Sequence, residues 1–141
     1  MPKVQADGLP LPQRYGAILT IVIGISMAVL DGAIANVALP TIATDLHATP
    51  ASSIWVVNAY QIAIVISLLS FSFLGDMFGY RRIYKCGLVV FLLSSLFCAL
   101  SDSLQMLTLA RVIQGFGGAA LMSVNTALIR LIYPQRFLGR G

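Results

Sequence analysis

Two long apolar runs, Ile54 to Phe73 and Ile83 to Leu100, flank the short charged stretch Leu74-Gly75-Asp76-Met77-Phe78-Gly79-Tyr80-Arg81-Arg82, and apart from Lys85 neither run carries a charge. About 20 consecutive apolar residues suffice for a helix to cross the hydrocarbon core of a bilayer. The charged stretch is therefore expected to be a turn at one water interface, with a membrane helix on either side. Arg81, Arg82 and Lys85 put that interface in the cytoplasm, because short loops rich in Lys and Arg are retained there.

The rest of the chain repeats the pattern. Residues 1–14 are polar and proline-containing and read as a cytoplasmic tail. A first span covers about 15–39 and is expected to end at Pro40, followed by an outer loop, Thr41 to Thr49, that holds Asp45 and His47 but no Lys or Arg. Thr49-Pro50 offers a capping hydroxyl and then a proline at the first helical position, so the second helix is expected to open there and to span about 54–74. Trp55 would mark its outer interface, and Tyr80 and Tyr84 the inner one. A third span, 83–100, leads through Ser101-Asp102-Ser103, with Ser101 or Asp102 as the expected cap, to a fourth at 104–133. Residues 134–141 are a cytoplasmic loop or truncated end, which leaves both termini of the segment cytoplasmic.

Composition agrees with this layout. Of 141 residues 58% are hydrophobic and 10% charged, and the mean hydropathy is +0.89; soluble domains average about 25% charged residues. The fold class is all-α integral membrane. The net charge of +4 reflects topology rather than nucleic-acid binding, since eight of the nine cations lie in the N-terminal tail, the 75–85 turn or the C-terminal end. Cys86 and Cys98 sit twelve residues apart on one helix, about 18 Å along its axis, too far for a disulfide. Ala33-Ile34-Ala35 mimics a signal-peptidase site, but the run is too long for a signal core and three further spans follow. With His47 the only histidine and no acid, base or nucleophile cluster, no metal, cofactor or enzymatic activity is expected.

Two charges fall well inside spans, Asp31 and Arg111. An intramembrane charge costs roughly 2.5–3.5 kcal/mol on insertion scales, which makes it a functional candidate. Both lie about 10–12 Å below the outer end of their span. At 3.6 residues per turn, Asp31 shares a face with Ala17, Gly24, Ala28, Ala35 and Ala38, and Arg111 shares one with Thr108, Gln114, Gly115, Gly118 and Asn125. Small faces allow close backbone approach. The pair is either a static bridge between helices or a titratable carboxylate, tuned by an arginine, that exchanges a proton for a substrate.

Three stretches carry a family resemblance. Leu30-Asp31-Gly32-Ala33-Ile34-Ala35-Asn36-Val37-Ala38-Leu39-Pro40 resembles the first-span motif of the fourteen-span drug:proton antiporters of the major facilitator superfamily. Asp76 to Arg82 resembles the superfamily signature between spans two and three, and Arg111-Val112-Ile113-Gln114-Gly115-Phe116-Gly117-Gly118-Ala119 resembles the fourth-span motif, whose arginine is implicated in proton transfer. Ser72, Met77 and Ala33 depart from the usual glycine, basic residue and threonine of these motifs.

The resemblance implies the N-terminal four transmembrane helices of a major facilitator type bundle, one three-helix repeat plus the first helix of the next, expected to belong to a longer transporter of the bacterial inner (plasma) membrane. It implies proton-coupled multidrug efflux, with Asp31 and Arg111 as the coupling pair, Asn36, Gln114 and Asn125 as auxiliary polar lining, and Gly75, Asp76, Gly79, Arg81 and Arg82 as a conformational latch. The partners implied are a small-molecule substrate, protons, the lipid bilayer and the remaining helices. The residues alone also admit a small four-span exporter acting as an oligomer, or an inert or regulatory truncated membrane fragment.

Overall fold

The computed structural model describes residues 11–132, with side chains from 12 to 125; residues 1–10 of the expected tail and all of the expected C-terminal end, 134–141, lie outside the described residues. Four helices follow in order: α1 (Leu11–Asp45), α2 (Pro50–Phe78), α3 (Tyr80–Ala99) and α4 (Leu104–Ile132). Each is long and apolar enough to cross a membrane.

The helix ends follow from a few residues each. α2 opens as the sequence predicts, with Thr49 as its cap: the Thr49 hydroxyl accepts from Ser52 N–H at 3.2 Å, and Pro50 occupies the first turn. α4 opens on Ser103, whose hydroxyl accepts from Met106 N–H at 3.2 Å and whose carbonyl accepts from Leu107 N–H at 2.9 Å. Ser101, expected as a possible cap of α4, instead turns back and donates to the Phe97 carbonyl at the end of α3.

Both ends of α1 lie beyond the expected span. α1 already includes residues 11–14, expected as tail, since Pro12 stands where the first turn has no intrahelical N–H bond to lose. Pro40 does not end α1, which runs five residues further to Asp45. A membrane helix tolerates such a proline because local adjustments re-satisfy the freed backbone groups. The helix stops at His47, whose φ of 50° is left-handed: His47 N–H donates to Thr44 O at 3.2 Å and Ala48 N–H to Ala43 O at 2.8 Å, a Schellman ending.

The stretch from Leu74 to Arg82 is not a multi-residue turn. α2 continues through Asp76 to Phe78 and α3 starts at Tyr80, so Gly79 alone joins them. Its N–H donates to Gly75 O at 3.0 Å, closing α2, and its carbonyl accepts from Arg82 and Ile83 N–H, opening α3. Both roles fit one residue only at φ +91°, which glycine adopts without a Cβ penalty.

Packing is uneven. α4 lies between α2 and α3, which touch each other little. Two glycines permit this: a Cβ on Gly115 would stand 2.8 Å from the Tyr60 carbonyl oxygen of α2, and one on Gly117 would stand 2.7 Å from Phe91 N of α3. The core comprises Ile21, Ala28, Tyr60, Tyr84, Phe91, Leu121 and Val124. Tyr84 is buried among the helices, and its hydroxyl donates to the Thr20 carbonyl of α1 at 2.8 Å. α1 is mostly exposed, with Ile21, Gly24, Ala28 and Ala43 its buried residues among those described.

Candidate functional site

Arg111 and Gln114 are three residues apart on α4 and therefore project from one face. Opposite them on α1, Asp31 sits on the predicted small-residue face, where Gly24 and Ala28 are buried. The three side chains close a ring. Arg111 Nη1 donates to Asp31 Oδ2 at 2.6 Å and to Gln114 Oε1 at 2.6 Å, while Gln114 Nε2 donates to Asp31 Oδ1 at 2.8 Å. Each carboxylate oxygen thus has its own donor, one charged and one neutral.

The other two helices complete the surroundings. The Arg111 guanidinium carbon lies 4.2 Å from the ring centroid of Tyr60 on α2. Cys98, on α3, donates its thiol to Gln114 Oε1 at 3.6 Å. All four helices therefore converge on Arg111 and Gln114.

Burial differs sharply across the pair: the Arg111 side chain is 5% exposed and that of Asp31 20%. An arginine enclosed to that degree cannot lose its proton and must keep compensating partners. The Asp31 carboxylate stands at the more open side of the pair. Charge-assisted hydrogen bonds of this kind are shorter and stronger than neutral ones, so the ring ties α1 to α4.

Of the predicted lining residues, only Gln114 joins the pair. Asn36 is exposed, five residues beyond Asp31 on another side of α1. Asn125 is half-buried, fourteen residues beyond Arg111 and so about 21 Å further along α4. The residues expected to act as a latch form a separate group at the α2–α3 junction: Gly75 is buried against Tyr80 and Val124, Gly79 is the joint, and Arg81 and Arg82 are exposed. Asp76, exposed at the end of α2, accepts a hydrogen bond from the Tyr80 hydroxyl.

Sequence reasoning missed Tyr60 and considered Cys98 only as a disulfide partner. A mid-span tyrosine, away from both interfaces where tyrosines collect, was the available signal for the first. An open cleft of about 480 Å³ is lined by Ser52, Trp55, Leu104, Gln105, Thr108, Leu109 and Val112, between the N-terminal ends of α2 and α4.

The sequence model of the Major Facilitator Superfamily matches residues 21–141. A riboflavin transporter, RibZ, of Clostridioides difficile is 33% identical over 131 residues, 93% of this chain and 29% of the relative. The tetracenomycin C resistance and export protein of Streptomyces glaucescens is 35% identical over 127 residues, 90% of this chain and 23% of the relative. A Salmonella paratyphi B protein provisionally named multidrug resistance protein MdtD is 39% identical over 115 residues, 82% of this chain and 24% of the relative. The chain thus spans about a quarter of the length of these curated relatives. With four helices long enough to cross a membrane, a matching family model over most of its length and an Asp–Arg–Gln ring at their meeting point, the chain is multi-pass and belongs to the major facilitator superfamily of membrane transporters.

Proposed function

We propose that this segment forms the first four spans of a longer proton-coupled antiporter of the bacterial inner membrane, exporting drugs or other small amphipathic compounds by alternating access. The observation that carries the reading is the Asp31–Arg111–Gln114 ring, in which the part-exposed carboxylate links α1 to an arginine locked inside the bundle. A proton and a cationic substrate compete for that one negative charge, so loading either releases the other. Each inward proton driven by 100 mV supplies about 2.3 kcal/mol.

Asp31 is the exchanging carboxylate in this reading and Arg111 sets its affinity for protons, with Gln114 as the neutral partner. Asn36 and Asn125 would line other levels of the path, and Gly75, Asp76, Gly79, Arg81 and Arg82 would latch one conformation from the cytoplasmic side, where both ends of the segment lie. Export and resistance in the names of two relatives support efflux of small organic compounds. The riboflavin transporter widens the chemistry without fixing a substrate.

The test is made in the complete transporter. Asp31→Asn, which preserves shape and one hydrogen-bonding oxygen, should abolish pH-dependent efflux of lipophilic cations while the protein still inserts. Arg111→Ala should cripple turnover and displace the pH profile. Proton-driven efflux persisting in Asp31→Asn would leave the ring a static link between helices.

A further inference from the structure

Arg111 is 4% exposed, and Asp31 accounts for only part of what holds its charge there. A single nitrogen, Nη1, makes the bonds to both Asp31 and Gln114, while the guanidinium carbon stands 4.2 Å from the centroid of Tyr60. At that distance the negative face of the ring attracts a cation, the more strongly when both are out of water.

Tyr60 is itself 5% exposed and held by α4. The Cβ position of Gly115 is 2.8 Å from its carbonyl oxygen and that of Gly118 is 3.2 Å from its hydroxyl, so the α4 backbone abuts both ends of the residue. The hydroxyl makes no hydrogen bond among the described residues. The part of Tyr60 that engages Arg111 is therefore its aromatic face.

The three partners of Arg111 differ in one respect. The attraction of Asp31 depends on its ionisation and disappears when the carboxyl group takes a proton. The ring face of Tyr60 and the carbonyl of Gln114 stay as they are. A buried guanidinium with only a titrating partner would be left uncompensated at each turn of a proton cycle, and uncompensated buried charge is strongly destabilising.

We propose that Tyr60 is a positioning residue that keeps Arg111 seated while Asp31 is neutral, so that the arginine remains aimed at the carboxyl group when the proton leaves. The functional meaning rests on Asp31 being the exchanging carboxylate; the seating itself can be measured independently of transport.

The probe is the ring-current displacement of the Arg111 side-chain resonances, read by solid-state NMR on the full chain in lipid bilayers. The displacement should be the same in the parent chain, in Tyr60→Phe and in Asp31→Asn, and should vanish in Tyr60→Leu. Its loss in Asp31→Asn overturns the proposal without any Tyr60 variant, and its persistence in Tyr60→Leu overturns it as well. In the complete transporter, Tyr60→Leu should lower turnover about tenfold at unchanged KM and displace the pH profile, with Tyr60→Phe within about twofold of the parent. Parental turnover and pH profile in Tyr60→Leu would refute the positioning role. If Asp31→Asn kept its proton coupling, the reading of the site would fail, while the resonance measurement would still decide the seating.

Discussion

The hydroxyl of Tyr84 on α3 reaches the backbone carbonyl of Thr20 on α1 at 2.8 Å, across the space left by the missing side chain of Gly24. A Cβ at Gly24 would collide with that hydroxyl and stand 3.2 Å from the ring carbon that bears it. Tyr84→Phe should lower stability by about 0.6 kcal/mol, the average for hydrogen bonds between membrane helices, and by no more than about 1.7 kcal/mol. Gly24→Ala should cost more, since it both breaks the bond and displaces the ring. The double variant should be more stable than the two single losses predict, because removing the hydroxyl relieves the collision. Additive losses in denaturation from detergent micelles would mean that the two residues do not meet.

Gly117 faces a backbone rather than a flexible side chain: its Cβ position is 2.7 Å from Phe91 N and 3.0 Å from Gly87 O. Gly117→Ala should therefore force α3 and α4 apart and cost about 1–3 kcal/mol or more, as overpacking does. Gly16, whose Cβ would meet nothing within 4 Å, should accept alanine with no loss. Equal thermal midpoints for the two variants would contradict the close α3–α4 crossing.

His47 pays a steric penalty to hold its left-handed φ of 50° at the end of α1. Removing the Cβ there should raise stability, so His47→Gly is expected to gain up to about 1 kcal/mol. Gly79→Ala should do the opposite, losing about 1–3 kcal/mol because φ +91° with ψ 131° suits glycine alone. Thermal unfolding of the two variants checks the pair of signs.

Orientation can be read by labelling. In a Cys86→Ala/Cys98→Ala background, Ala48→Cys and Ser103→Cys should react with a membrane-impermeant maleimide from outside the cell. Reaction only after the cells are opened would invert the proposed topology.

Asp76 gives a prediction for the transporter as a whole. Asp76→Asn should lower efflux at matched expression and insertion if the junction acts as a latch, and Tyr80→Phe, which removes the hydrogen-bond donor to Asp76, should do so more weakly. Unchanged efflux in both would reduce the charged junction to a topology signal.

The four spans and the meeting of Asp31 with Arg111 were legible because charge, depth and small-residue faces are properties of the chain itself. Pro40 was misread since its effect depends on whether the surroundings can absorb one lost hydrogen bond. Tyr84 was assigned to an interface by the habit of its residue type; what buries it is the gap at Gly24, on a different helix. Tyr60 shows the same limit, because its contact with Arg111 requires α4 to approach α2 as closely as Gly115 permits, and no local pattern in α2 carries that information.

The uneven packing has a mechanical consequence. Gly79 alone joins α2 to α3, and the glycines of α4 bring its backbone against both, so separating α4 from either neighbour would part backbones in contact. α1 meets them through Ile21, Ala28 and a few partly buried neighbours, one tyrosine hydroxyl and one carboxylate. Of the described helices it is the one least tied to the others, and the charge of Asp31 sits near the middle of its length.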